Sequence, residues 1–137
     1  MKNLLPIFLL LPCFVIAQTQ TDYEVAIGRF MKFYNTKQCD SIVNMWPADA
    51  PYIGSIKRSW NKEVVESLHT KYGKLLSYEY VGIDTEDSNP GLAVFKTKYS
   101  VVGEKTTSLS LDDKKHLSTF RFITSSDGID KLLRVKK

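Results

Sequence analysis

Few residues of this chain could move a proton or attack a substrate. Glu79 stands between two tyrosines in "SYEY", His69 lies in "SLHTKYGK", and His116, the second of two histidines, follows Lys114 and Lys115. A carboxylate or imidazole beside phenol hydroxyls is the equipment of an isomerase- or dehydratase-type enzyme, with Glu79 or His69 as base and the tyrosines as hydrogen-bond donors. His69 falls one residue beyond the apolar stripe of its helix and near the C-terminus, where an imidazole also suits the helix dipole. His116 sits at a turn and reads as a solvated edge residue. No spacing matches a zinc site, a nucleophile elbow or a phosphate loop, and no cofactor or metal is implied.

The value of these residues depends on the elements that carry them. Thr21 and Glu24 have capping-box spacing, and Tyr23, Ala26, Ile27, Phe30, Phe33 and Tyr34 recur at helical intervals, which predicts a helix over Asp22 to Asn35. Cys39, Ile42, Val43 and Trp46 predict a short second helix, stopped by Pro47 and Pro51, which open a loop. Asn61 can cap a third, with Val64, Val65, Leu68 and Tyr72 inward, Trp60 stapled onto Val65, and Gly73 as the positive-φ residue after its end. From Lys74 onward the pattern alternates. Strands are expected at 74–83, 92–102, 105–111, 116–123 and 131–135, joined by short turns such as "DSNPG", "VGE", "DDKK" and "SSDG". Helices first and an antiparallel sheet second make an α+β fold, three N-terminal helices covering one face of a curved sheet of four to five strands.

Alternation sorts the strands into two faces. Ala93, Phe95, Thr97, Tyr99 and Val101 oppose Lys96, Lys98 and Ser100, so the odd set is inner; Thr107, Leu109 and Leu111 oppose a wet row of Thr106, Ser108 and Ser110. In the fourth strand Phe120 and Phe122, in phase with Ser118, oppose Leu117, Thr119 and Arg121, and an unpaired inner arginine would be costly. Glu79 has no inner basic partner, whereas on the outer face it joins Lys96, Lys98 and Arg121, so it is expected to point outward and Tyr78 and Tyr80 inward. The predicted interior is then aromatic and neutral: Trp46, Tyr78, Tyr80, Phe95, Tyr99, Phe120 and Phe122 are the candidate ligand-pocket residues. Such a surface reads either as a filled core or as an apolar pocket with a few hydrogen-bonding groups.

The N-terminal stretch has one lysine, an apolar run from Leu4 to Ala17 and then polar residues, the order of a signal peptide, with Val15 and Ala17 placed for cleavage before Gln18. Export to the periplasm or medium is expected, with 1–17 removed and no membrane span left. An uncleaved anchor, or lipidation at Cys13 despite the unfavourable Pro12, are the alternatives. The remaining 120 or so residues make one domain, 18–137. Cys39 is then the sole cysteine, so the fold relies on its core and not on a disulfide. Loss of Lys2 leaves 18 of the 19 basic residues against 15 acidic ones, a net +3, too weak and scattered for nucleic acid.

The stretches "FYNTKQCDSIVNMW", "SLHTKYGKLLSYEY" and "SLSLDDKKHLSTFRF" together resemble small exported bacterial domains of the nuclear transport factor 2-like superfamily, over about Phe30 to Phe122. The resemblance implies a cone-shaped fold with a pocket between helices and sheet, and a possible homodimer through the outer sheet face. It implies no reaction: the acidic and histidine residues of the superfamily's ketosteroid isomerases, scytalone dehydratases and limonene epoxide hydrolases have no residue-by-residue match. The leading expectation is therefore a non-enzymatic exported domain that binds a small apolar ligand or a protein partner through the cone or the sheet face, the enzyme being the alternative.

Overall fold

A computed structural model of the chain describes residues 18–84 and 91–124. Four helices precede a four-stranded antiparallel sheet, an α+β architecture in which the sheet is not closed into a barrel. Helix α1 spans Gln20–Asn35, α2 Cys39–Val43, α3 Ile53–Ser59 and α4 Lys62–Tyr72. Strands β1 Leu75–Asp84, β2 Leu92–Tyr99, β3 Gly103–Leu111 and β4 Leu117–Thr124 form a meander in the order β1-β2-β3-β4. The expected strand at 131–135, the turn "SSDG" and the signal peptide lie outside the described residues. Among those described, no helix is long and apolar enough to cross a membrane.

Helix α1 begins two residues before the sequence expectation. Its capping box is Thr19 with Asp22: Thr19 Oγ1 accepts from the Asp22 amide at 3.2 Å, and Asp22 Oδ2 accepts from the Thr19 amide at 3.0 Å. A Thr-x-x-Asp pair closes the same reciprocal loop as the Thr21/Glu24 pair and lengthens the helix by about half a turn. Tyr23, Ala26, Ile27, Phe30 and Tyr34 of that stripe are buried. Helix α4 starts as expected, with Asn61 Oδ1 accepting from the Val64 amide at 2.9 Å.

The one helix beyond the three expected, α3, falls where the sequence promised a loop. It has no side-chain N-cap and no buried residue, but Ile53 and Ile56, three apart, lean on the core cluster. Seven residues are too few for periodicity to announce a helix, and docking supplies what propensity does not.

The inner and outer faces sort largely as expected. Tyr80 is paired with Phe95, Phe95 with Thr107, and Leu109 with Phe120, so inner residues meet across all three ladders. One correction concerns β2, which ends at Tyr99, so that Val101 falls in the turn before β3 and is exposed rather than inner; two more concern β3 and β4. Leu117 is an inner core residue and Ser118 is exposed, because an irregularity between Ser110 and Leu111 shifts the register at the start of β4 and resets the alternation. Thr106, Ser108 and Ser110 are buried rather than wet. They are short side chains on a central strand: Thr106 is in register with Lys96, Ser108 with Val94 and Arg121, and Ser110 Oγ lies 2.7 Å from Ser118 Oγ.

Candidate functional site

The end of α1, the end of α4 and the start of β1 meet at one joint. Tyr34, fully buried, donates its hydroxyl to the Gly73 carbonyl at 2.9 Å. Asn35 mimics a strand neighbour, accepting from the Leu75 amide and donating to the Leu75 carbonyl, both at 2.8 Å. Gly73 has φ +84°, the positive φ expected of it. A Cβ there would stand 2.0 Å from Ser100 Oγ and 2.9 Å from the Val101 amide nitrogen, so both backbone and space demand glycine.

His69 belongs to this joint. Its Nε2 lies 2.7 Å from the Tyr34 carbonyl, and its ring stacks on that of Tyr34 with centroids 4.4 Å apart. A carbonyl only accepts, so the proton sits on Nε2. His69 thereby adds a side-chain donor to a carbonyl in the last turn of α1 that also accepts from the Lys37 amide at 3.0 Å.

Glu79 is exposed and in register with Lys96, on the face opposite the half-buried Tyr78 and Tyr80. The ion pair of Lys96 is with Glu104, at 3.9 Å, rather than with its register partner. Among the described residues no carboxylate or imidazole hydrogen-bonds to the hydroxyl of Tyr78 or Tyr80.

All seven candidate pocket residues belong to one aromatic system or its margin. Trp46, Phe95 and Tyr99 are buried, while Tyr78, Tyr80, Phe120 and Phe122 are half-buried against them. Phe30 occupies the centre, with ring centroids 4.7 Å from Phe120, 5.4 Å from Trp60, 5.6 Å from Tyr34 and 5.8 Å from Phe122. Tyr78 and Tyr80 meet Phe95 edge-on at 6.1 and 5.6 Å. Trp46 meets Phe120 at 6.1 Å. Sequence reasoning placed Phe30, Tyr34, Trp60 and Tyr72 on helix faces without adding them to the candidate set. Their position on the inner helical stripes was the signal, because those stripes must meet the inner row of the sheet.

One group inside this system lacks a partner. Tyr99 is 1% exposed, and its hydroxyl makes no hydrogen bond of good geometry although the hydroxyls of Thr97 and Thr107 lie beside it. Thr107 donates to the Phe122 carbonyl at 2.7 Å, so in the 3.3 Å contact between Thr97 and Thr107 it is Thr97 that donates. The free lone pairs of Thr97 are what remains for Tyr99. Burial pushes the Tyr99 phenol up to about 12, against a smaller lowering by the two threonines.

Two cavities open on the flanks, neither lined by any of the seven residues. The first, about 1090 Å³, is a wide groove bounded by α2 and the start of α4, with Cys39, Trp60 and Lys62 in its wall. The Cys39 thiol, chiefly through desolvation, is pushed above its ordinary value, which keeps it protonated and poorly nucleophilic. The second, about 350 Å³, lies between α1 and the β3–β4 turn and includes His116, whose Nδ1 is 3.6 Å from Asp112 Oδ2. Among the described residues no three His, Cys, Asp or Glu side chains are grouped to hold a metal ion. Comparison of the chain with family models, with curated proteins and with solved structures finds no match.

Proposed function

We propose that the protein is an exported, non-enzymatic binding domain of the nuclear transport factor 2-like kind, which takes a small apolar ligand at the rim of its aromatic interior. The observation that carries this reading is the pair Tyr78 and Tyr80, half-buried on the inner face of β1 beside Phe95. An apolar wall with a few hydroxyls is the usual composition of a small-molecule site. The interior beyond the rim is occupied by its own rings, so the ligand lies against the tyrosines and does not enter the centre. The isomerase or dehydratase alternative is less well supported, since Glu79 stands on the opposite face and the Nε2–H of His69 is engaged by Tyr34. A protein partner or a second copy on the outer sheet face would meet Lys96, Lys98 and Glu104, a polar surface suited to a weak contact.

The test is a titration with 2-naphthol, an aromatic body with one hydroxyl, followed by amide chemical shifts. Shifts centred on Tyr78 and Tyr80, weakened in Tyr80→Leu, support the rim site. Shifts absent there at saturating probe overturn it.

A further inference from the structure

The cavity between α1 and the β3–β4 turn has a floor and a rim of different chemistry. Its floor is apolar: Ala26, Met45, Leu111 and Leu117 are all buried core residues. Its lining also includes Val25, an apolar side chain of α1 that is 55% exposed. Its rim carries Arg29, Lys114 and Lys115 against a single lining carboxylate, Asp22. That carboxylate is already matched, being 3.1 Å from Lys115 Nζ and accepting the Thr19 amide. Arg29 and Lys114 have no carboxylate partner among the described residues; Arg29 lies 6.0 Å over the Phe33 ring.

The floor is also held in place. The Leu117 amide donates to the Met45 carbonyl at 2.8 Å, tying the start of β4 to the segment after α2. Asp112 Oδ1 accepts from the amides of Lys114 and His116 at 2.9 and 2.8 Å, which folds the turn so that Lys114, Lys115 and His116 border the cavity. The Gln18 side-chain amide donates to the Asp112 carbonyl from the other side.

From this juxtaposition we infer that the cavity is a second binding site, for a small amphipathic anion: a carboxylate carrying a short hydrocarbon chain, with the chain on Ala26, Met45 and Leu117 and the carboxylate between Arg29 and Lys114. Apolar burial supplies affinity and the unpaired cations supply sign and orientation. A volume of about 350 Å³ is at the small end of ligand sites, which selects a medium-length chain over a long one. The site is separate from the tyrosine rim and stands or falls independently of it.

The experiment titrates octanoate into the purified protein at low ionic strength, following amide and methyl shifts. Octylamine (same chain, opposite charge), acetate (same charge, no chain) and phosphatidylglycerol vesicles (anion on a membrane) run in parallel. Shifts should centre on Val25, Met45 and Leu117 with octanoate alone, and Arg29→Glu with Lys114→Glu should weaken binding at least about tenfold. The exposed Lys98→Glu on the outer sheet face should leave affinity unchanged. Equal binding of octylamine, shifts mapping to Tyr78 and Tyr80 instead, a response to vesicles but not to octanoate, or full affinity in the doubly reversed variant would each overturn the proposal.

Discussion

His69 Nε2 lies 2.7 Å from the backbone carbonyl of Tyr34, and the two rings stack 4.4 Å apart, so the best acid-base candidate of α4 serves as a rivet between α4 and α1. Substituting alanine removes both the hydrogen bond and the stack and leaves the Tyr34 carbonyl with its bond from the Lys37 amide. A loss of about 2 kcal/mol is expected, and phenylalanine, which keeps the stack, should recover part of it. Denaturant midpoints decide the matter: equal midpoints for the two variants would show that the stack contributes nothing, and a phenylalanine variant as stable as the parent would show the same of the hydrogen bond.

Gly73→Val should destabilise by more than about 2 kcal/mol, since a β-branched residue is strained at positive φ and its Cβ would overlap Ser100 Oγ. The Ser100→Gly background should recover only the overlap with Ser100, because the backbone strain and the clash with Val101 persist and the Lys74 amide loses its bond to Ser100 Oγ. Urea unfolding of the single and double variants measures the division.

Tyr99→Phe removes a buried hydroxyl that has no partner, so the substitution should be neutral or stabilising by up to about 1 kcal/mol. The same phenol is raised in the fold from 10.0 to about 12. Its neutral form is favoured by folding, so that contribution is fully present below pH 10 and is lost as pH rises toward 12. Alkaline unfolding monitored by tyrosinate absorbance should therefore begin at higher pH in Tyr99→Phe than in the parent, and an unshifted onset would assign the alkaline limit to another group such as Tyr34, also raised by burial.

Glu79→Gln should change stability by less than about 1 kcal/mol, as for an exposed strand charge whose register partner already pairs with Glu104. Tyr80→Ala should cost about 2 to 3 kcal/mol, below the roughly 3 to 5 typical of fully enclosed aromatics, because Tyr80 is only half-buried. Phe30→Ala, at the enclosed centre, should reach the full value. The order Glu79, Tyr80, Phe30 in thermal or denaturant unfolding is the measurable claim.

Asp22 is held below its ordinary carboxylate value, first by the Thr19 amide and then by Lys115. A depressed carboxylate stabilises the fold above its unfolded value of 3.8 and loses that effect as pH falls through the lower folded value. The first turn of α1 should consequently fray on acidification, seen as loss of amide protection at Tyr23 and Glu24, and Asp22→Asn should show that fraying already at neutral pH.

The sequence by itself determined the fold class, the helix faces and most of the inner strand residues, Phe95, Tyr99, Leu109 and Phe120 among them. Those follow from periodicity and from the cost of burying charge, both local properties of the chain: Glu79 points outward because no inner cation among the described residues meets it, and Gly73 takes a positive φ because a helix turns at once into a strand. The tertiary structure decided what periodicity cannot encode. Whether the apolar stretch around Ile53 and Ile56 became a helix depended on a surface to dock against, and the inward turn of Leu117 depended on an irregularity in a ladder formed with another strand. The rivet from His69 to Tyr34, and the meeting of Val25, Arg29, Met45 and Lys114 around one cavity, join residues distant in the chain; only the packed fold sets their separations.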